Sequence, residues 1–74
     1  MKIVEVCSDI PGALSLWHVE DGSKVEEDEP ICEVECMKTL MRVLAPATGT
    51  VRYRMSLGEV VGQENVIAVI EVEE

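Results

Sequence analysis

The sequence predicts an all-β domain of eight short strands, built by internal duplication and closed as a sandwich or a barrel. Three observations predict it. Apolar residues come in short runs rich in Val and Ile, which suit a pleated, half-buried surface. Gly, Pro, Asn and Asp separate the runs at regular spacing. Finally, whole segments recur. Gly22-Ser-Lys-Val25 is matched by Gly58-Glu-Val-Val61, and Ile31-Cys-Glu-Val-Glu35 by Ile67-Ala-Val-Ile-Glu71, both 36 residues on. Gly12-Ala-Leu14-Ser-Leu16 is matched by Gly49-Thr-Val51-Arg-Tyr53 at 37. Two copies make a two-fold duplication and not a solenoid. The change of offset predicts a single extra residue in the second turn of one half.

In chain order, the first half offers Ile3–Val6, Ala13–Trp17, Lys24-Val25 and Ile31–Val34 as strands. The second offers Leu40–Leu44, Thr50–Arg54, Val60-Val61 and Val66–Ile70. Turn residues lie between them at Asp9–Gly12, Glu20–Gly22, Asp28–Pro30, Ala45-Pro46, Gly58, Gly62 and Asn65. No stretch shows a sustained helical period between caps. Val25–Glu29 is the one helical scrap, and Pro30 stops it. The duplication predicts a single domain over residues 1–74, with halves of about 1–37 and 38–74. It also pairs Lys38 with residue 74, so the turn at Lys38 is expected opposite the paired chain ends.

Seventy-four residues with one Trp, one Tyr and no Phe leave a thin core of Val, Ile, Leu and Met. Such a chain has little room for a deep substrate pocket, which favours a carrier or interaction module over an enzyme. The net charge of −9 is uneven: ten acids against two bases in residues 1–37, five against four in 38–74. Nucleic acid and anionic membranes are therefore not expected partners, and a basic protein surface is the natural complement. Cys7, Cys32 and Cys36 make an odd count, which predicts free thiols, a reducing compartment and a cytoplasmic location (mitochondrial matrix or plastid if cut from a longer chain). With His18 they show no zinc spacing, and no metal is expected. No apolar run approaches a membrane span, and no signal peptide is visible.

The informative segment is Ile31-Cys-Glu-Val-Glu35-Cys36-Met37-Lys38-Thr39-Leu40-Met41. Lys38 is its only base, set between two strand-like runs at the midpoint of the duplication. Met37 beside it is soft and adaptable, as a surface met by several enzymes would require. Trp17 reads as core, and His18 as a wet strand residue. No nucleophile, base and acid combine into a catalytic set.

Glu35-Cys36-Met37-Lys38-Thr39 resembles the Glu-Ala-Met-Lys-Met attachment motif of biotin carboxyl carrier domains, in the biotinyl/lipoyl attachment family. The frame matches as well: Gly22-x-x-Val25, Ala45-Pro-x-x-Gly49-x-Val51, Gly58-x-x-Val61 and Ile67-x-x-Ile70-Glu71, together covering roughly residues 3 to 72. The resemblance implies a flattened barrel-sandwich hybrid of two four-stranded antiparallel sheets. It implies that Lys38, in the hairpin between the fourth and fifth strands, is covalently biotinylated by a biotin protein ligase. Glu35, Cys36, Met37 and Thr39 would form the attachment hairpin that the ligase reads. A biotin carboxylase would load the carboxyl group and a carboxyltransferase would remove it, the chain itself being a non-catalytic carrier. Four features depart from the family pattern: Cys36 in place of Ala, Thr39 in place of Met, Asp28 where Gly is common, and no thumb insertion between Leu16 and Gly22. Two alternatives share the fold: a lipoyl carrier of a 2-oxo acid dehydrogenase-type complex, which Met37 and Thr39 argue against, and an unmodified barrel-sandwich adaptor.

Overall fold

A computed structural model describes residues 1–8, 11–62 and 65–73. Asp9 and Ile10 of the first predicted turn, and residue 74, lie outside these. The described residues form eight strands: β1 (Lys2–Cys7), β2 (Gly12–Trp17), β3 (Lys24–Val25), β4 (Pro30–Cys36), β5 (Thr39–Leu44), β6 (Gly49–Tyr53), β7 (Val60–Val61) and β8 (Val66–Val72). They make two four-stranded sheets, ordered β1-β8-β6-β3 and β5-β4-β2-β7, antiparallel throughout. The flattened barrel-sandwich is thus the fold, and no helix occurs among the described residues. The scrap at Val25–Glu29 is instead the end of β3 and a tight turn in which Asp28 takes φ 71°. Pro30 forces this break, because it cannot donate within a helix and disfavours helical backbone before it.

The duplication extends to the tertiary structure. The pairing Cys36↔Thr39 at the end of β4–β5 recurs as Val72↔Lys2 at the end of β8–β1. The irregularity between Pro30 and Cys32 recurs beside Cys7 and Val66. The Gly22 amide donates to the Val51 carbonyl and the Gly58 amide to the Leu14 carbonyl, both at 2.8 Å. Core positions pair in the same way: Leu14 with Val51, Val25 with Val61, Ile31 with Ile67, Val34 with Ile70, all buried. A Cβ placed on Gly12 would collide with the Glu35 carbonyl, and one on Gly49 with the equivalent Glu71 carbonyl. Both copies need glycine where two backbones close on each other.

One expectation is corrected. The extra residue is not in a turn but inside β2. Leu14 pairs with Val34 and Leu16 with Glu33, so Ser15 stands out as a β-bulge. In the second half, Val51↔Ile70 is followed directly by Arg52↔Val69. Downstream of Ser15 the offset is 36, which makes Trp17, and not Leu16, the counterpart of Tyr53. These two rings stack on each other with centroids 3.7 Å apart and an interplanar angle of 9°. Two equivalent residues in mutual contact mark the pseudo-two-fold axis. The Tyr53 hydroxyl donates to the Val19 carbonyl, satisfying the polar end of the pair. The link from β2 to β3, residues 18–23, carries no thumb; it is tied by the Gly22 amide and by Ser23 donating to the Glu20 carbonyl.

Candidate functional site

β4 and β5 are joined by two residues, Met37 and Lys38, between the paired Cys36 and Thr39. Both take left-handed backbone, φ 50° and 66°. That is the signature of a type I′ turn, whose twist matches the right-handed twist of the strands it joins. Asn-Gly is the usual choice, because a Cβ makes left-handed backbone costly, roughly 1–2 kcal/mol for each residue. Met37 and Lys38 both carry that cost, and such strain clusters at functional sites.

The turn stands clear of the core. Met37 is 92% exposed, a large apolar side chain left in water. Lys38 and Thr39 are exposed, and among the described residues Lys38 has no ion-pair partner. Cys36 is half-buried and Glu35 exposed. The structure therefore brings together at one tip all five residues singled out in the sequence. The two-fold relates this tip to the chain ends, since Cys36↔Thr39 is equivalent to Val72↔Lys2. Equivalent points lie on opposite sides of a two-fold axis, and the molecule is 38 Å along its longest axis against 20 and 18 Å across. Strand pairing also brings in two residues that spacing did not suggest. Val60↔Ala13, Ala13↔Glu35 and Glu35↔Leu40 run in one row across the second sheet beside the turn.

The remaining chemistry-bearing groups lie elsewhere. Cys7, Cys32 and Cys36 are all unpaired thiols. Burial, with the Glu33 carboxylate adding to it, pushes the Cys32 thiol up to about 11, so it stays protonated and inert. His18 Nε2 lies 2.6 Å from a Glu33 carboxylate oxygen. Among the described residues no cluster of His, Cys, Asp or Glu could hold a metal ion. A groove lined by Lys24, Glu26, Thr48, Thr50, Glu71 and Glu73 lies at the chain-end side, and no residue from 35 to 39 lines it.

A duplicated barrel-sandwich with one lysine raised on its midpoint hairpin defines the biotinyl/lipoyl class of domain. The chain belongs to the biotin-requiring enzyme family, whose profile matches residues 5–70, and biotin is the cofactor of that family. It is 34% identical over 70 residues to acetyl-CoA carboxylase 1 of Oryza sativa subsp. japonica and 30% over 70 to acetyl-CoA carboxylase 1 of Arabidopsis thaliana, in each case 95% of this chain. It is 36% identical over 62 residues, 84% of the chain, to acetyl-CoA carboxylase of Dictyostelium discoideum. The chain spans about 3% of the length of each of these relatives. The crystal structure of Kluyveromyces lactis urea carboxylase superposes with a TM-score of 0.87 at 26% identity, over 96% of this chain and 6% of that one.

Proposed function

We propose that the chain is a biotin carboxyl carrier whose Lys38 holds biotin in an amide bond made by a biotin protein ligase. One observation carries this reading: Lys38 is exposed and, among the described residues, without an ion-pair partner, on a strained two-residue turn that the two-fold sets opposite the chain ends. The site fits the group. An acyl acceptor must present an unencumbered amine, and a flexible four-carbon stem on an exposed two-residue turn does that. Biotin supplies, when bound, a ureido nitrogen that takes up and releases a carboxyl group. Lys38 provides reach, and the hairpin fixes where the reach begins. Tethering holds the carried group at a high effective concentration near each partner site. The partners this implies are a biotin carboxylase and a carboxyltransferase; the chain adds position and no catalytic group.

Co-expression with a biotin ligase and intact-mass measurement test the assignment. The wild-type chain should gain one biotinyl group, and Lys38→Arg, which keeps charge and size, should gain none while unfolding like the wild type. Biotin on Lys38→Arg would overturn the site. A wild-type chain that takes lipoate from a lipoyl ligase, and no biotin, would overturn the cofactor.

A further inference from the structure

The duplication supplies an internal control for the surface around Lys38. Both ends of the molecule share one backbone plan, so side chains that differ between them report what one end needs and the other does not. Near the turn, the row across the second sheet reads Val60–Ala13–Glu35–Leu40. Its equivalent near the chain ends reads Lys24–Thr50–Glu71–Ile3. Paired residues in a row share one face of the sheet. Here it is the outer face, because the next row inward holds the buried Leu14 and Val34. Where the chain-end copy carries Lys24 and Thr50, the Lys38 copy carries Val60 and Ala13. Val60 is 77% exposed and Leu40 48%, with Met37 just beyond on the turn.

The acidic position differs too. Glu71 is neutralised by Arg52, whose Nε lies 3.1 Å from its carboxylate. The counterpart of Arg52 is Leu16, and Glu35 has no ion-pair partner among the described residues. The row is therefore an apolar strip about 14 Å wide, four strands at their usual spacing, with one uncompensated carboxylate in it. That combination is complementary to an apolar protein surface carrying a single cation.

We infer that this strip is the seat of the enzyme that acylates Lys38. The inference rests on the carrier reading above and specifies its partner surface. Reach selects the occupant. To acylate the bare amine, the enzyme must bring its active site to the end of a four-carbon stem, so its body packs against the sheet around the turn. Enzymes acting later meet a reactive group carried farther out by the added acyl chain and need not touch the strip.

The duplication also supplies the test variants. Val60→Lys with Ala13→Thr writes the chain-end row onto the Lys38 end, with residues that the same backbone already carries at Lys24 and Thr50. The mirror pair, Lys24→Val with Thr50→Ala, is the control. Steady-state biotinylation of the purified chain by a biotin ligase, with biotin and ATP, gives KM and kcat for each. The first pair should raise KM for the chain about tenfold or more with kcat within about twofold, as loss of one buried Val contact and gain of an opposed charge require. The mirror pair should leave both constants at the wild-type values. A wild-type KM in the Val60→Lys/Ala13→Thr chain, with the wild type itself biotinylated, would overturn the inference and leave the carrier reading standing. A wild-type chain that takes no biotin would remove both.

Discussion

Asp28 shows how a single departure from a family pattern is absorbed. It stands where glycine is common, and its φ of 71° explains the preference. Asp tolerates left-handed backbone better than most residues with a Cβ, so the turn survives the exchange. Its amide still donates to the Ala45 carbonyl at 2.8 Å. Cys32 is a second departure, from the symmetry itself, for its equivalent is Ala68. Its sulfur is buried, and that burial pushes its thiol up to about 11 from an ordinary 9.0. Below pH 9 folded and unfolded chains both hold the proton, and stability is at its full value. Between pH 9 and 11 the unfolded chain ionises while the folded chain does not, so stability falls as pH rises, by roughly 2–3 kcal/mol in all. Tyr53, raised by burial and then by Asp21, Glu20 and Cys32, adds a loss of the same sign at higher pH. Cys32→Ala, already accepted at Ala68, should be somewhat less stable at pH 7. Urea unfolding at pH 7 to 10.5 should then show the gap between the two proteins narrowing by at least about 1 kcal/mol. Parallel stability curves would mean that the buried thiol is not the group responsible.

At the scale of the strand, Ser15 is the one residue by which β2 exceeds β6. The chain resumes the symmetric frame at once: the His18 amide donates to the Ile31 carbonyl at 2.8 Å as the Arg54 amide does to the Ile67 carbonyl at 2.9 Å. Deleting Ser15 should therefore give β2 the regular register that β6 already has against β8. The shortened protein should unfold cooperatively, with a melting temperature within several degrees of the wild type, a change of about 1 kcal/mol. A non-cooperative melt would show that the bulge supplies twist the first half cannot do without. This bulge is also a feature that local sequence does not encode. Strand positions, the glycine frame and the five tip residues were legible because apolar runs and turn residues are local signals. The bulge was not, because Leu16 aligns on Tyr53 as plausibly as Trp17 does until strand partners are known. The type I′ turn was hidden for a related reason. Met37-Lys38 has none of the Asn-Gly chemistry that announces such a turn, and only the pairing of Cys36 with Thr39 fixes it. Ala13 and Val60 reach the tip by pairings across 22 and 47 residues of chain, which no local pattern encodes.

For the molecule as a whole, repeat and structural unit do not coincide. The first sheet takes β1 and β3 from the first half and β6 and β8 from the second; the other sheet takes β2 and β4 from the first, β5 and β7 from the second. Among the described residues only β2–β4 and β6–β8 pair within a half, and the other four pairings join the halves. Strands β1 and β3 of the first half find their partners only in the second, on β8 and β6. The core follows the same plan, since Leu14, Ile31 and Val34 share one buried cluster with Val51, Ile67 and Ile70. A half taken alone therefore keeps one strand pair, and a two-stranded sheet is marginal in water. It also exposes the apolar face that its copy would have covered. Peptides 1–37 and 38–74 should each lack dispersed amide resonances and a cooperative melt. Mixed in equal amounts, they should recover both in a concentration-dependent manner, because each supplies the strands the other lacks. A folded single half would contradict this interleaving. Recovery on mixing would place folding in the contacts between copies, and so explain why the duplicated chain holds Lys38 on a hairpin that neither repeat can build by itself.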